Sequence, residues 1–266
     1  MSEVWTEGAG FGALGAVAPW WDALCVGDAV LETVRRGGDG RWLFAPEHAA
    51  RADQTWRASF ASAPRLAERL EGAFEALDSA PESWSAMRLF VTPDASGSPR
   101  IWASQIAWQP PAEQDYLRGA RCVQSAIAHP GLGGLGKTAS YHWARSAQRE
   151  ARARGATDAL LSGPGGALVE AATAALVWRE GARWFTPAGP SLKSVTLAAL
   201  AEEGGPLHGL EEARADCARL ERADELLLLS SLRLAIRVAS LGERTWPAGE
   251  TDHAWRTYLL TRGRLR

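Results

Sequence analysis

Apolar and polar residues half-alternate from Gly27-Asp28-Ala29-Val30-Leu31-Glu32-Thr33 to Arg35, which predicts a strand. Gly37-Gly38-Asp39-Gly40 supplies a turn and Arg41-Trp42-Leu43-Phe44 a return strand, so residues 25–45 read as a hairpin. Pro46-Glu47-His48 opens a helix, with proline in the first turn where its missing N–H costs nothing. A second helix is expected from Pro64 to Leu77, then strands at Met87–Val91 and Ile101–Ile106 around a turn-rich loop from Pro93 to Pro99. Gln109-Pro110-Pro111-Ala112-Glu113 reads as a linker, dividing an N-terminal lobe (1–112) from a C-terminal lobe (113–266).

Beyond the linker the pattern restarts. A strand near Ala120–Ser125 leads into a glycine-rich loop, then a helix from Lys137 to Arg154 that Gly155 stops. Ala159–Leu161 is a short buried strand. Ala167–Val177 and Arg183–Phe185 form a hairpin around Arg179-Glu180-Gly181, a helix starts near Ser194 and ends at Gly204-Gly205, and a last long strand covers Glu225–Leu229. The fold class is α+β in two lobes.

Composition narrows the function. A net charge of −2, from 29 basic and 31 acidic residues, provides no excess for neutralising phosphates and argues against a nucleic-acid partner. Cys25, Cys122 and Cys217 lie far apart without C-x-x-C spacing, which disfavours a zinc site or disulfide framework and suits a reducing cytoplasm. Glu3 and Glu7 precede the first apolar stretch, unlike the basic start of a signal peptide, and the apolar run Leu226–Leu229 is too short to cross a bilayer. The thirteen tryptophans read as packing; for the Trp20-Trp21 pair, a ligand entrance or subunit contact is the alternative.

Two chemistries meet at Lys137. Gly131-Leu-Gly-Gly-Leu-Gly-Lys-Thr138 fits the phosphate-loop pattern G-x-x-x-x-G-K-[ST], which works by delivering a glycine-rich turn onto a helix N-terminus. The metal would then need an Asp at the end of an apolar strand, yet Ala159-Leu160-Leu161 and Leu226–Leu229 both run into serine.

The second reading uses more of the chain. Five blocks occur in order: Gly27–Thr33; Glu47-His48-Ala49-Ala50-Arg51; Gly136-Lys137-Thr138-Ala139-Ser140-Tyr141 continuing to Asp158–Leu161; Gly166-Ala167-Leu168-Val169-Glu170; and Ala223–Leu226 through Ser230-Ser231-Leu232-Arg233. Together, from about residue 25 to residue 240, they resemble the fold-type IV pyridoxal-phosphate enzymes. That is the class IV aminotransferase family, which includes branched-chain and D-amino-acid aminotransferases and aminodeoxychorismate lyase. The resemblance implies a D-amino-acid aminotransferase-like fold, a homodimer, pyridoxal 5'-phosphate as cofactor and a small amino substrate.

It also implies roles. Lys137 becomes the Schiff-base lysine and general base, and Glu170 the carboxylate that keeps the cofactor's ring nitrogen protonated. Arg51, the N–H groups of the helix opened by Ser194-Val195-Thr196, the Thr196 hydroxyl and Ser231 hold the phosphate. Tyr141 reaches the ring oxygen.

Three blocks depart from the family. Ala171–Leu176 lacks the usual asparagine, Leu192-Lys193-Ser194-Val195-Thr196-Leu197 replaces L-P-G-x-T-R, and Arg237-Val238 stands where Pro-Val is common. The Ser230–Arg233 turn is closest to the "N-S-L-R" of aminodeoxychorismate lyase, and Arg88–Thr92 lacks the Y-x-R-P of branched-chain enzymes. The expectation is a lyase releasing pyruvate and 4-aminobenzoate, with a class IV aminotransferase or a catalytically altered relative as alternatives.

Overall fold

The computed structural model describes residues 3–13, 15, 21–60, 64–131 and 136–263, which separate into two units. The first runs to Gln109 and takes back residues 136–141; the second runs from Pro110 and resumes at His142. The passage between units falls three residues before the expected linker boundary. Lys137, placed in the C-terminal lobe by the sequence division, belongs to the first unit.

The first unit contains β1 (Glu3–Thr6), β2 (Gly10–Ala13), α1 (Trp21–Val26), β3 (Val30–Arg35), α2 (Ala45–Ser59), α3 (Ala67–Leu77), β4 (Ala86–Pro93) and β5 (Pro99–Gln105). Its sheet is antiparallel in the order β2-β1-β5-β4-β3. Val30 and Val34 of β3, with Met87, Leu89 and Val91 of β4, join Trp56 of α2 and Leu70, Phe74 and Leu77 of α3 in one core. The expected 25–45 hairpin does not form. Cys25-Val26 ends α1, β3 pairs with β4, and the return strand reduces to a bridge between Arg36 and Trp42. Burial overrides the alternation there: Trp42 and Leu43 are buried, and the Trp42 indole N–H donates to the Leu77 carbonyl at 3.0 Å.

The second unit holds α4 (Glu113–Arg118), β6 (Ala120–Gln124), α5 (His142–Ala153), β7 (Asp158–Ser162), β8 (Leu168–Ala171), β9 (Ala175–Glu180), β10 (Arg183–Pro187), α6 (Val195–Ala201), β11 (Glu211–Ala213), α7 (Cys217–Glu221), β12 (Glu225–Ser230), β13 (Leu234–Leu241), β14 (Arg244–Thr245) and α8 (Thr251–Arg262). Its mixed sheet runs β11-β10-β9-β12-β13-β6-β7-β8, with β14 on β13. β12, the apolar run of the sequence, lies between β9 and β13, and Leu226–Leu229 are fully buried. The strand predicted over 167–177 is two strands. β8 pairs with β7, and only β9 forms the hairpin with β10, closing at Glu180 and Arg183. β12 is not the last strand: β13, β14 and α8 follow it.

The chain is therefore α+β, as expected. Eight tryptophans are buried (Trp5, Trp42, Trp56, Trp84, Trp102, Trp178, Trp246 and Trp255), which makes packing their role; the Trp20 and Trp21 side chains lie outside the described residues. Among the described residues no helix is long and apolar enough to cross a membrane.

Candidate active site

In the first unit, residues 137–139 run beside β3. Leu31 donates its N–H to the Lys137 carbonyl at 2.9 Å, Ala139 donates to the Ala29 carbonyl at 2.8 Å, and Val30 bridges Thr138. The preceding Gly136 has φ +73, and a Cβ there would sit 2.3 Å from the Thr55 hydroxyl, so only glycine allows this approach to α2. Lys137 donates its N–H to that hydroxyl at 3.3 Å, and the hydroxyl in turn donates to the Arg51 carbonyl at 2.9 Å.

The half-buried Lys137 ammonium lies 2.8 Å from the Tyr141 hydroxyl and 4.6 Å from the ring centroid. The helix expected to start at Lys137 starts at His142 instead, because residues 137–139 spend their backbone groups on β3. Lys137 and Thr138 thus open no helix, and the phosphate-loop geometry, which requires one, is absent. The nucleotide reading falls with it.

Alternation along β3 places Glu32 with Val30 and Val34 on the side that meets α2. Its carboxylate is fully buried there and takes its charge partners from one turn of α2. The imidazole of His48 lies 2.6 Å away through Nδ1, and Arg51 donates from Nε at 2.8 Å and from Nη2 at 2.5 Å. Burial alone would raise the carboxyl's pKa, but the Arg51 and His48 charges and hydrogen bonds outweigh it and hold it at about 2. Burial pushes His48 below its usual range, with the Glu32 charge opposing, so His48 is the neutral Nδ1–H donor. One edge of the Arg51 guanidinium, expected at the phosphate, is thus committed to Glu32. Neither Glu32 nor His48 was singled out for this role in the sequence, although both sit inside quoted motifs.

In the second unit, β8 carries Glu170, 7% exposed. One oxygen faces His129 Nε2 at 2.9 Å, and the other accepts the Leu192 N–H at 3.3 Å. His129 is itself buried. Its backbone N–H donates to the Ser162 carbonyl at 2.8 Å, its Nδ1 accepts the Gly131 N–H at 3.1 Å, and its ring meets Trp143 edge-on at 4.7 Å. No Lys or Arg pairs with Glu170 among the described residues.

Ser194 caps α6 by accepting the Leu197 N–H at 3.2 Å, so Val195 and Thr196 are the first helical residues, both buried. Ser231 lies in the turn joining β12 to β13. Two residues on, Arg233 reaches the buried Asp158 at 2.6 Å and the Thr173 hydroxyl at 2.9 Å, and that hydroxyl donates to Asp158 at 2.7 Å. Thr173 lies in the stretch whose family asparagine is missing. The structure therefore brings Lys137 and Tyr141 into contact, ties Arg51 to them through Thr55, and sets Glu170 in a polar nest of its own. His129 and Asp158 escaped the sequence reading, since a lone His before a proline and an Asp opening a strand carry no distinctive spacing.

The sequence pattern of the family described as amino-transferase class IV matches residues 29–241. The chain belongs to that family. No curated protein matches the sequence. Among solved structures, a fold IV transaminase from Curtobacterium pusillum is 22% identical, covers 98% of this chain and 99% of its own, and gives a TM-score of 0.80. A hypothetical aminotransferase from Mycobacterium tuberculosis, in its pyridoxal-phosphate-bound form, is 23% identical over 98% of both chains with a TM-score of 0.80. A branched-chain aminotransferase from Thermoproteus uzoniensis, solved with norvaline, is 18% identical, covers 98% of this chain and 96% of its own, and gives 0.83. These likenesses carry the fold.

As a class IV amino-transferase the chain is a pyridoxal-phosphate-dependent enzyme. The donor set suits the cofactor. A primary amine is available at Lys137 beside a phenol, and Glu170 is a buried carboxylate whose partners are an imidazole and an amide N–H, with no cation to balance it. A buried anion in that state is costly unless a positive group joins it. A protonated pyridine nitrogen is such a group.

Proposed function

We propose that this class IV amino-transferase acts as an aminodeoxychorismate lyase, releasing pyruvate and 4-aminobenzoate. The observation that carries the reading is the turn Ser230-Ser231-Leu232-Arg233, which keeps the lyase-like sequence and is fastened by Arg233 to Asp158 and Thr173. Pyridoxal phosphate, when bound, supplies an electron sink for the substrate's α-carbon. Lys137 is the group that takes and returns the α-proton, and the Tyr141 hydroxyl, 2.8 Å from Nζ, orients that amine. Glu170 favours the protonated form of the ring nitrogen. Arg51, the α6 N-terminus at Val195 and Thr196, and Ser231 are assigned to the phosphate. A homodimer in the cytoplasm is part of the same proposal.

The second reading is transamination of branched-chain or D-amino acids, favoured by the branched-chain aminotransferase among the structural neighbours. The two differ in whether the α-carbanion expels a leaving group or is reprotonated. Protein loaded with pyridoxal phosphate and given aminodeoxychorismate should form pyruvate, detected by coupled reduction to lactate, and Lys137→Ala should not. Absence of pyruvate, with oxo-acid formation from an amino donor, would replace the lyase by the aminotransferase.

A further inference from the structure

The carboxylate proposed to govern the cofactor's electronics is itself held by a residue that no family motif contains. We infer that His129 is a positioning residue for Glu170: it orients the carboxylate through a neutral N–H and leaves its negative charge for the cofactor's ring nitrogen. The inference rests on the cofactor reading above.

The hydrogen-bond directions fix the tautomer. The Gly131 N–H points at His129 Nδ1, 3.1 Å away, and a backbone N–H can only donate, so Nδ1 must be the bare, accepting nitrogen. The ring proton of the neutral imidazole then sits on Nε2, which faces Glu170 at 2.9 Å and donates to it. The other carboxylate oxygen accepts from the Leu192 amide. Both donors are neutral, so the carboxylate is oriented without being neutralised. An arginine or lysine here would hold Glu170 equally well but would spend its charge.

The imidazole cannot swing away. It is 1% exposed, its backbone N–H is anchored on the Ser162 carbonyl at the end of β7, and Trp143 closes on the ring edge-on. β7 and β8 are neighbours, so the histidine and the glutamate are carried by one rigid strand pair. That arrangement is the outer support a functional carboxylate needs, in which a second group fixes the rotamer of the first.

The test uses two variants and two readouts. His129→Phe keeps a ring against Trp143 but removes the donor; His129→Gln retains an N–H donor of similar reach. In ¹⁵N-histidine-labelled protein without cofactor, the resonance that disappears in His129→Gln should be the Nε2–H tautomer. An Nδ1–H tautomer would overturn the inference without reference to any cofactor. With pyridoxal phosphate added, His129→Phe should weaken binding roughly 10- to 100-fold, as expected for loss of a hydrogen bond to a charged group. Its visible band should also move from the wild-type position, which packing alone would not cause, while His129→Gln restores both. Wild-type affinity and spectrum in His129→Phe would overturn the inference. If His129→Phe does not fold, a His129→Gln protein unlike the wild type in its band overturns it instead. A wild-type protein that takes up no pyridoxal phosphate would refute the cofactor reading, and the tautomer measurement would still judge the hydrogen bond.

Discussion

Replacing Glu32 by glutamine should unbalance the first unit, and the size follows from the buried cluster. The carboxyl is held at about 2 against an ordinary 4.5, and each unit of displacement is worth 1.36 kcal/mol, so ionised Glu32 contributes about 3 kcal/mol at neutral pH. The same figure arises from the other side. Arg51, its side chain 10% exposed, would be left as a buried cation without its anion, at a cost of about 3–5 kcal/mol. The sign of the pH dependence is set by a depressed acid. The contribution is complete above pH 4.5 and disappears as pH falls towards 2, because glutamine imitates the protonated side chain. His48 acts in the same direction but earlier. Its lowered folded-state affinity for protons means that the unfolded chain binds one first, so stability declines below about pH 6.5 in both proteins. Urea unfolding of cofactor-free wild type and Glu32→Gln, followed by circular dichroism at pH 7, 5 and 3.5, isolates the glutamate. The gap should be about 3 kcal/mol at pH 7 and pH 5, and about 1 kcal/mol smaller at pH 3.5. A gap under about 1 kcal/mol at pH 7, or one that widens on acidification, would refute the charge assignment.

Tyr141→Phe removes the hydroxyl 2.8 Å from Lys137 and should lower turnover about tenfold while leaving thermal stability within about 0.5 kcal/mol; unchanged turnover would detach Tyr141 from the lysine's chemistry. Gly27→Ala places a Cβ 2.2 Å from the Ser140 hydroxyl at a backbone φ of +77, so it should cost about 1–3 kcal/mol in thermal unfolding. Ser140→Gly in the same protein should return part of that loss, and failure to do so would mean that backbone strain rather than the clash sets the cost. Leu228→Ala, in the central strand of the second unit's sheet, should destabilise by about 2–5 kcal/mol in urea, and a loss below 1 kcal/mol would contradict its full burial.

The sequence exposed most of the architecture because most of its signals are local. Strands at 87–91 and 101–106 appear as β4 and β5, Pro46 sits in the first turn of α2, and the apolar run of four leucines is the buried core of β12. The misses share a cause. The 41–44 segment alternates like a strand, but its tryptophan and leucine are drawn into the core; the 137–141 segment follows a glycine-rich loop like a helix, but its backbone is captured by β3. In both, a long-range contact with no trace in local periodicity decides the outcome. The end of the chain was lost differently. α8 has almost no segregated apolar face, since its buried side are residues such as Asp252 and Arg256 that pair with each other at 2.8 Å.

The site divides along the same line. Groups that react are chosen by chemical type and sit inside motifs, which is why Lys137, Tyr141 and Glu170 could be named in advance. Groups that hold them are chosen by geometry and can be supplied by many residue types from many places. Where the family's asparagine is missing, Thr173 completes a network with Asp158 and Arg233, drawn from three separate stretches of chain. Glu170 is steadied by a histidine 41 residues earlier and by an amide from 192. The altered supporting blocks, which looked in the sequence like damage to the catalyst, are therefore compatible with an intact one. The carboxylate that must stay charged is still oriented by two donors that carry no charge, and that balance is a property of the folded chain rather than of any motif in it.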